Sequence, residues 1–105
     1  MTLYRIVYSQ EAFQDLDIIY RFIVTESLDL KIAERFVKKI KNAIESLKEF
    51  PFRHQKCEIA FRGTKDVRQF STSNYLIIYV IDEASKTVAI IGIISCKQDK
   101  NKVIN

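Results

Sequence analysis

Residues 67–94, VRQFSTSNYLIIYVIDEASKTVAIIGII, decide the fold. Three runs rich in Val, Ile, Tyr and Phe, at 67–70, 75–81 and 87–94, are separated by the short polar segments STSN and DEASK. β-Branched and aromatic residues suit a pleated, half-buried surface, and connections this short join antiparallel neighbours, so the stretch predicts three consecutive strands in a meander. Arg68 lies inside the first of these runs. A charged side chain there is expected on the open face of the sheet or at its edge, where it serves either as a contact residue or as cover for a solvated face.

Upstream, the pattern is helical. In 10–24 the apolar residues Ala12, Leu16, Ile19, Tyr20 and Ile23 form one stripe, with Gln14, Asp15, Asp17 and Arg21 elsewhere on the wheel. TESLD interrupts the pattern, and Ser27 or Asp29 can cap the next helix. This second amphipathic helix runs to about residue 49, with the stripe Ala33, Phe36, Val37, Ile40, Ile44 and Leu47 and an outer face of Lys31, Arg35, Lys38, Lys39, Lys41 and Lys48 broken by Glu34 and Glu45. Pro51 ends it, because proline disfavours helical geometry at the residue before it. The tight link between the two helices makes them an antiparallel hairpin. Before them, LYRIVY at 3–8 reads as a strand ending at Ser9, a good N-cap residue.

The predicted fold class is therefore α+β: an N-terminal strand, an antiparallel helical hairpin, then a three-stranded antiparallel meander, with the hairpin packed on one side of a small sheet. At 105 residues there is room for one domain, 1–105, with 99–105 as a polar tail. Residues 52–66 read as a loop with a short extended piece at 58–61.

Lys and Arg number 17 against 13 Asp and Glu. Residues 1–50 hold eight of each sign and residues 51–105 the rest, so the positive excess lies in the second half and suits an anionic partner, nucleic acid or an acidic protein segment. The two cysteines, Cys57 and Cys96, form no CxxC and read as free cytosolic thiols. With no secretory n- and h-regions and no apolar run near membrane-spanning length, a cytoplasmic chain with no membrane partner is expected.

Phosphate-binding glycine loops, GxSxG, HExxH and paired-cysteine zinc sets are all missing, which excludes the common enzyme classes that depend on them. His54 and Cys57 form an HxxC pair but supply only two of the four ligands usual for zinc, so no metal and no cofactor is expected. Tyr4, Tyr8, Phe70, Tyr75 and Tyr79 invite a base-stacking reading, but each falls in a strand that must bury one face, and packing against the helices is the expected role.

Several strings, in order, resemble the RelE/ParE superfamily of bacterial toxins from toxin-antitoxin modules: YRIVYSQEAFQDLDIIYRFI, AERFVKKIKNAIESLKEFP and VRQFSTSNYLIIYVID, spanning about 4–99. The long hairpin over 9–49 is similar to the ParE branch, whose members poison DNA gyrase, rather than to the RelE branch, whose members cleave mRNA on the ribosome. The resemblance implies a type II toxin that inhibits gyrase by binding and is neutralised by a cognate antitoxin, with a heterotetramer among the assemblies of the pair. The alternatives are a RelE-like ribosome-dependent endoribonuclease, which alone would make the chain an enzyme, and a non-toxic relic that still binds antitoxin.

Where the family often carries His-Gly-Arg-Arg-Asp after the last strand, this chain has Ser95-Cys96-Lys97-Gln98-Asp99. Lysine supplies a point charge rather than a planar fork. Cleavage through a 2′-hydroxyl needs an acid, a base and cations. Arg68 and Lys97 supply cations and Lys56 or Lys65 a base, but no His or Tyr follows the last strand, so catalytic residues stay unknown. The target-contact candidates are Arg62, Arg68, Lys97 and Gln98, with Lys97 near Arg68 if their two strands share an edge of the sheet.

Overall fold

Ser9 starts the first helix as expected. Its backbone is extended and its Oγ accepts the Ala12 N–H at 3.0 Å, satisfying one of the donors a helix leaves open at its start. The structure, a computed structural model, describes residues 3–57 and 66–96. It shows β1 (Arg5–Tyr8), α1 (Gln10–Ser27), α2 (Leu30–Glu45), 3-10 turns at Ser46–Lys48 and Pro51–Arg53, then β2 (Asp66–Thr72), β3 (Tyr75–Asp82) and β4 (Thr87–Ser95). The expected extended piece at 58–61 and the tail at 99–105 lie outside the described residues.

α1 runs three residues beyond the expected end at Val24. The hydroxyls of Thr25 and Ser27 donate back to the carbonyls of Arg21 and Ile23, at 3.0 and 2.7 Å, so polar residues that read as a break are absorbed into the last turn. Leu28, left-handed at φ 55°, stops the helix with its N–H on Val24 O at 2.7 Å. Of the two candidate caps for α2, Asp29 is the one used: its Oδ1 accepts from Lys31 and Ile32 N–H. α2 ends as an α-helix at Glu45, four residues before the expected end, because the chain tightens into the 3-10 turn.

β2 and β3 meet at a two-residue turn, Ser73 and Asn74, with φ of 52° and 69°. Positive φ at both central residues is the hairpin geometry that matches strand twist. This turn takes only half of STSN and leaves Ser71 and Thr72 to β2, so the strand extends past its apolar run.

The meander is as expected, and β1 pairs in parallel with β4, giving the order β1-β4-β3-β2. β4 is therefore interior and β2 is an edge, separated from β4 by β3. The condition for bringing Lys97 near Arg68 is not met, and Lys97 itself lies outside the described residues. β4 ends level with the β2–β3 turn, where the Cys96 N–H donates to Asn74 O.

One sheet face meets the hairpin. Ile77, Tyr79 and Ile81 of β3 and Val88, Ile90 and Ile93 of β4 pack with Leu16 and Ile19 of α1, Ile40 and Ile44 of α2, and Leu47. A bulge keeps β4 aligned with this face: Tyr79 pairs with Ile90 and Ile78 with Gly92, leaving Ile91 as the extra residue. Tyr4 and Tyr79 are buried, and Tyr8, Phe70 and Tyr75 pack against the core, which bears out packing rather than stacking for these aromatics. Among the described residues, no helix is long and apolar enough to cross a membrane.

Candidate functional site

After α2 the chain turns back over the edge strand. Phe50 takes a left-handed conformation at φ 51° and Pro51 opens the second 3-10 turn. Arg53 then reaches back to the end of the preceding turn: its Nη1 donates to the carbonyls of Ser46, Glu49 and Phe50, and its Nη2 to Ser46 Oγ at 2.7 Å. A cation there satisfies carbonyls the helix leaves without partners and sits at the negative end of its dipole. Residues 55–57 go on to pair with β2, with Gln69 N–H on Gln55 O at 3.1 Å and Cys57 N–H on Val67 O at 2.8 Å.

Arg68 lies beneath this segment. By register it shares the helix-side face with Tyr79, and it stands on the edge strand, one of the two places expected for it. Its Nε and Nη2 grip the two carboxylate oxygens of Asp66 at 3.0 and 3.3 Å, and its Nη1 donates to Phe52 O at 2.9 Å and His54 O at 2.7 Å. The guanidinium also stands 5.3 Å from the centre of the Phe52 ring. A guanidinium has five N–H groups, and four of these are engaged. The side chain is 15% exposed. A planar fork can hold a carboxylate and two carbonyls at once, and the loop and its own strand supply all three acceptors around Arg68.

The rest of the cluster is equally closed. The Tyr79 hydroxyl donates to Pro51 O at 2.7 Å in a buried position, and burial pushes its pKa up to about 12. The His54 ring stacks on Phe70 at 4.5 Å and meets Tyr79 edge-on. Its Nε2 is buried without a hydrogen-bond partner. Burial, helped by the Arg53 charge, lowers the His54 pKa and so favours the neutral ring. The arrangement locks the 51–57 segment onto β2.

The sequence candidates thus divide. Arg68 is placed and internally committed, while Arg62, Lys97, Gln98 and Lys65 lie outside the described residues. Lys56 is exposed at the β2 edge. Among the described residues no group of three or more His, Cys, Asp and Glu could hold a metal, and Cys57 and Cys96 are free thiols.

Two surfaces remain open, and sequence reasoning passed over how they differ. An open groove of about 410 Å³ lies between α1 and the far end of β4, lined among others by Asp15, Ile18, Phe22, Tyr75 and Ile93. β1 pairs with β4 only as far as Ile90, and beyond it Asp15 Oδ2 accepts the Ile93 N–H at 3.0 Å. Ile18 and Phe22 are 64% and 55% exposed. The second surface is the outer face of α2. Residues 1–50 balance in charge, but the hairpin sorts the charges: α1 carries Glu11, Asp15, Asp17 and Glu26 against Arg21, and α2 carries Lys31, Arg35, Lys38, Lys39 and Lys41 against Glu34 and Glu45. Counting charge by helix rather than by half-chain exposes the contrast.

The family model describing the ParE toxin of the type II toxin-antitoxin system parDE matches residues 6–100. Among curated proteins, none matches. Among solved structures, the chain is similar to one of the chromosomal ParDE system of P. aeruginosa, with 18% identity, 89% of this chain and 96% of that chain covered, and a TM-score of 0.72. It is similar to a chain of the archaeal RelE-RelB complex of Pyrococcus horikoshii, with 16% identity, coverage of 90% and 97%, and a TM-score of 0.54. It is also similar to a chain of the RelBE2 toxin-antitoxin complex of Mycobacterium tuberculosis, with 20% identity, coverage of 89% and 91%, and a TM-score of 0.55.

Proposed function

The chain belongs to the ParE toxin family of type II toxin-antitoxin systems, and from that premise we propose that it arrests growth by binding DNA gyrase and is neutralised by a cognate antitoxin. The observation that carries a binding mechanism is the state of Arg68. A nuclease needs cations free to meet the phosphorane that forms during cleavage. Four of the Arg68 N–H groups are instead held by Asp66, Phe52 and His54. The long hairpin, with helices of 18 and 16 residues, supports the same branch.

The antitoxin partner is supported by the likeness to the archaeal and mycobacterial toxin-antitoxin complexes. We place its docking segment in the groove beside β4. Ile18 and Phe22 supply apolar anchors there, of the kind that dominate protein interfaces, and the strand edge past Ile90 is unpaired by β1.

The test is direct. Purified toxin should inhibit supercoiling or trap cleaved DNA with gyrase, and added antitoxin should reverse it. Codon-phased mRNA cleavage in translating extract, with supercoiling untouched, would replace this reading with the ribosome-dependent nuclease.

A further inference from the structure

The outer face of α2 has no role in the packing of the fold. Lys31, Arg35, Lys38, Lys39 and Lys41 are all exposed, and none forms an ion pair with a described residue: the pairs are Arg21–Asp17, Lys48–Glu45 and Arg68–Asp66. Five cations fall within eleven residues, about 15 Å of helix from first to last. Glu34 lies within the same arc, one turn from both Lys31 and Lys38, and offsets one of the five charges, while Glu45 is occupied by Lys48 at 2.8 Å, so the ridge keeps an excess of about four.

The same face lacks what a protein partner needs. On α2 itself the exposed large apolar side chains are confined to its first turn, at Leu30 and Ile32, and none follows along the rest of the helix. Protein interfaces draw their affinity from buried apolar and aromatic anchors, and a ridge of lysines without them binds protein poorly. A phosphodiester backbone asks for the opposite. Contacts to it come from Lys and Arg, bring register without sequence readout, and gain from released counterions. About 15 Å of duplex presents roughly nine phosphate charges, so the ridge meets enough of them for several contacts on one side of a double helix.

We infer that the exposed cationic ridge of α2 binds the phosphodiester backbone of duplex nucleic acid, independently of gyrase and without sequence preference. This goes beyond the proposed action on gyrase and stands or falls without it. The apolar groove beside α1 is lined by Asp15, on a helix that also carries Glu11, Asp17 and Glu26 against Arg21, so it repels the same ligand and the hairpin presents the duplex with only one favourable side.

The experiment is a fluorescence-anisotropy titration of the full chain against a labelled mixed-sequence DNA duplex and an RNA duplex of the same sequence, with no gyrase present. With about four phosphate contacts the logarithm of the binding constant should fall with log salt at a slope of about −3.6, a loss of about 150-fold between 50 and 200 mM salt. The triple variant Lys31→Gln, Lys38→Gln, Lys39→Gln should keep its circular dichroism spectrum, lose more than about tenfold in affinity, and lower the slope by about 2.7. Glu11→Gln should bind as well as the parent or better. DNA and RNA duplexes should bind alike, since phosphate contacts carry no base information. A triple variant that binds like the parent overturns the inference. So does a preference above tenfold for one duplex, or a polyglutamate chain that competes equally per charge, which would show generic attraction to acidic polymers. Because gyrase is absent, failure here leaves the supercoiling result untouched, and the reverse also holds.

Discussion

Replacing Arg68 with Ala should destabilise the fold rather than merely trim a contact surface. The substitution strips the carbonyls of Phe52 and His54 of their donor and leaves Asp66, 26% exposed, without its counter-ion. Hydrogen bonds from a charged donor contribute about 1.5–3 kcal/mol each when buried. Water can refill part of this site, so about 1 kcal/mol for each carbonyl and a further ~1 kcal/mol for the Asp66 pair is the fair sum, near 3 kcal/mol in all. At about 4 °C per kcal/mol for a domain of this size, Tm should drop by about 12 °C. Arg68→Lys keeps the charge but cannot span three acceptors, and should recover about half of the loss. Thermal unfolding followed by far-UV circular dichroism measures both, and a double-mutant cycle with Asp66→Asn should return a coupling of about 1 kcal/mol. A Tm for Arg68→Ala within about 2 °C of the parent would falsify the claim that this network holds the 51–57 segment to the sheet.

Other expectations come from the same geometry. Burial raises the Tyr79 phenol to about 12, and burial together with the Glu45 charge does the same for Tyr8, whereas the unfolded chain releases these protons near pH 10. Between about pH 10 and 12 the folded state holds more protons than the unfolded, so stability is full below pH 10 and falls across that window; Tyr79→Phe should flatten the fall in urea titrations run at each pH. His54 has the opposite sign. Its lowered pKa means that the unfolded chain takes up a proton first, so its contribution is full above about pH 6.5 and is lost on acidification, and His54→Phe should remove that part of the acid dependence. Ser9→Ala and Asp29→Ala each delete a side-chain cap, and each should cost about 1 kcal/mol by chemical denaturation.

Much of the architecture was legible because it depends on periodicity. The stripe from Ala12 to Ile23 and the three β-branched runs each bury one face, and burial of one face is what a hydrophobic pattern encodes. The parallel pairing of β1 with β4 left no local mark, since both helices, β2 and β3 lie between residues 5–8 and 87–90 in the sequence. Helix ends shifted where polar side chains bonded back to the helix, as Thr25 and Ser27 do, instead of capping it. Arg68 was legible as an edge cation, but its partners were not. Register with Tyr79 sets its face, and the carbonyls that hold it there come from His54 and Phe52, fourteen and sixteen residues earlier, so no local pattern announces them.

That placement changes how target contacts have to be sought. Charge reversal at Arg68 would set a carboxylate beside Asp66 and orphan two carbonyls, so a loss of toxicity in Arg68→Glu would report unfolding as readily as a lost contact. The cations suited to such a test are those whose removal leaves nothing unpaired. Lys31, Lys38, Lys39 and Lys41 on α2, and Lys56 at the β2 edge, meet that condition among the described residues. If gyrase is engaged through charge, Lys38→Glu and Lys56→Glu should weaken supercoiling inhibition at unchanged Tm, while Arg68→Ala should weaken it only in proportion to the fraction unfolded at the assay temperature. Inhibition by Arg68→Ala that falls below its folded fraction would restore Arg68 as a contact residue, and its hydrogen bonds to Asp66, Phe52 and His54 would then have to open when gyrase binds.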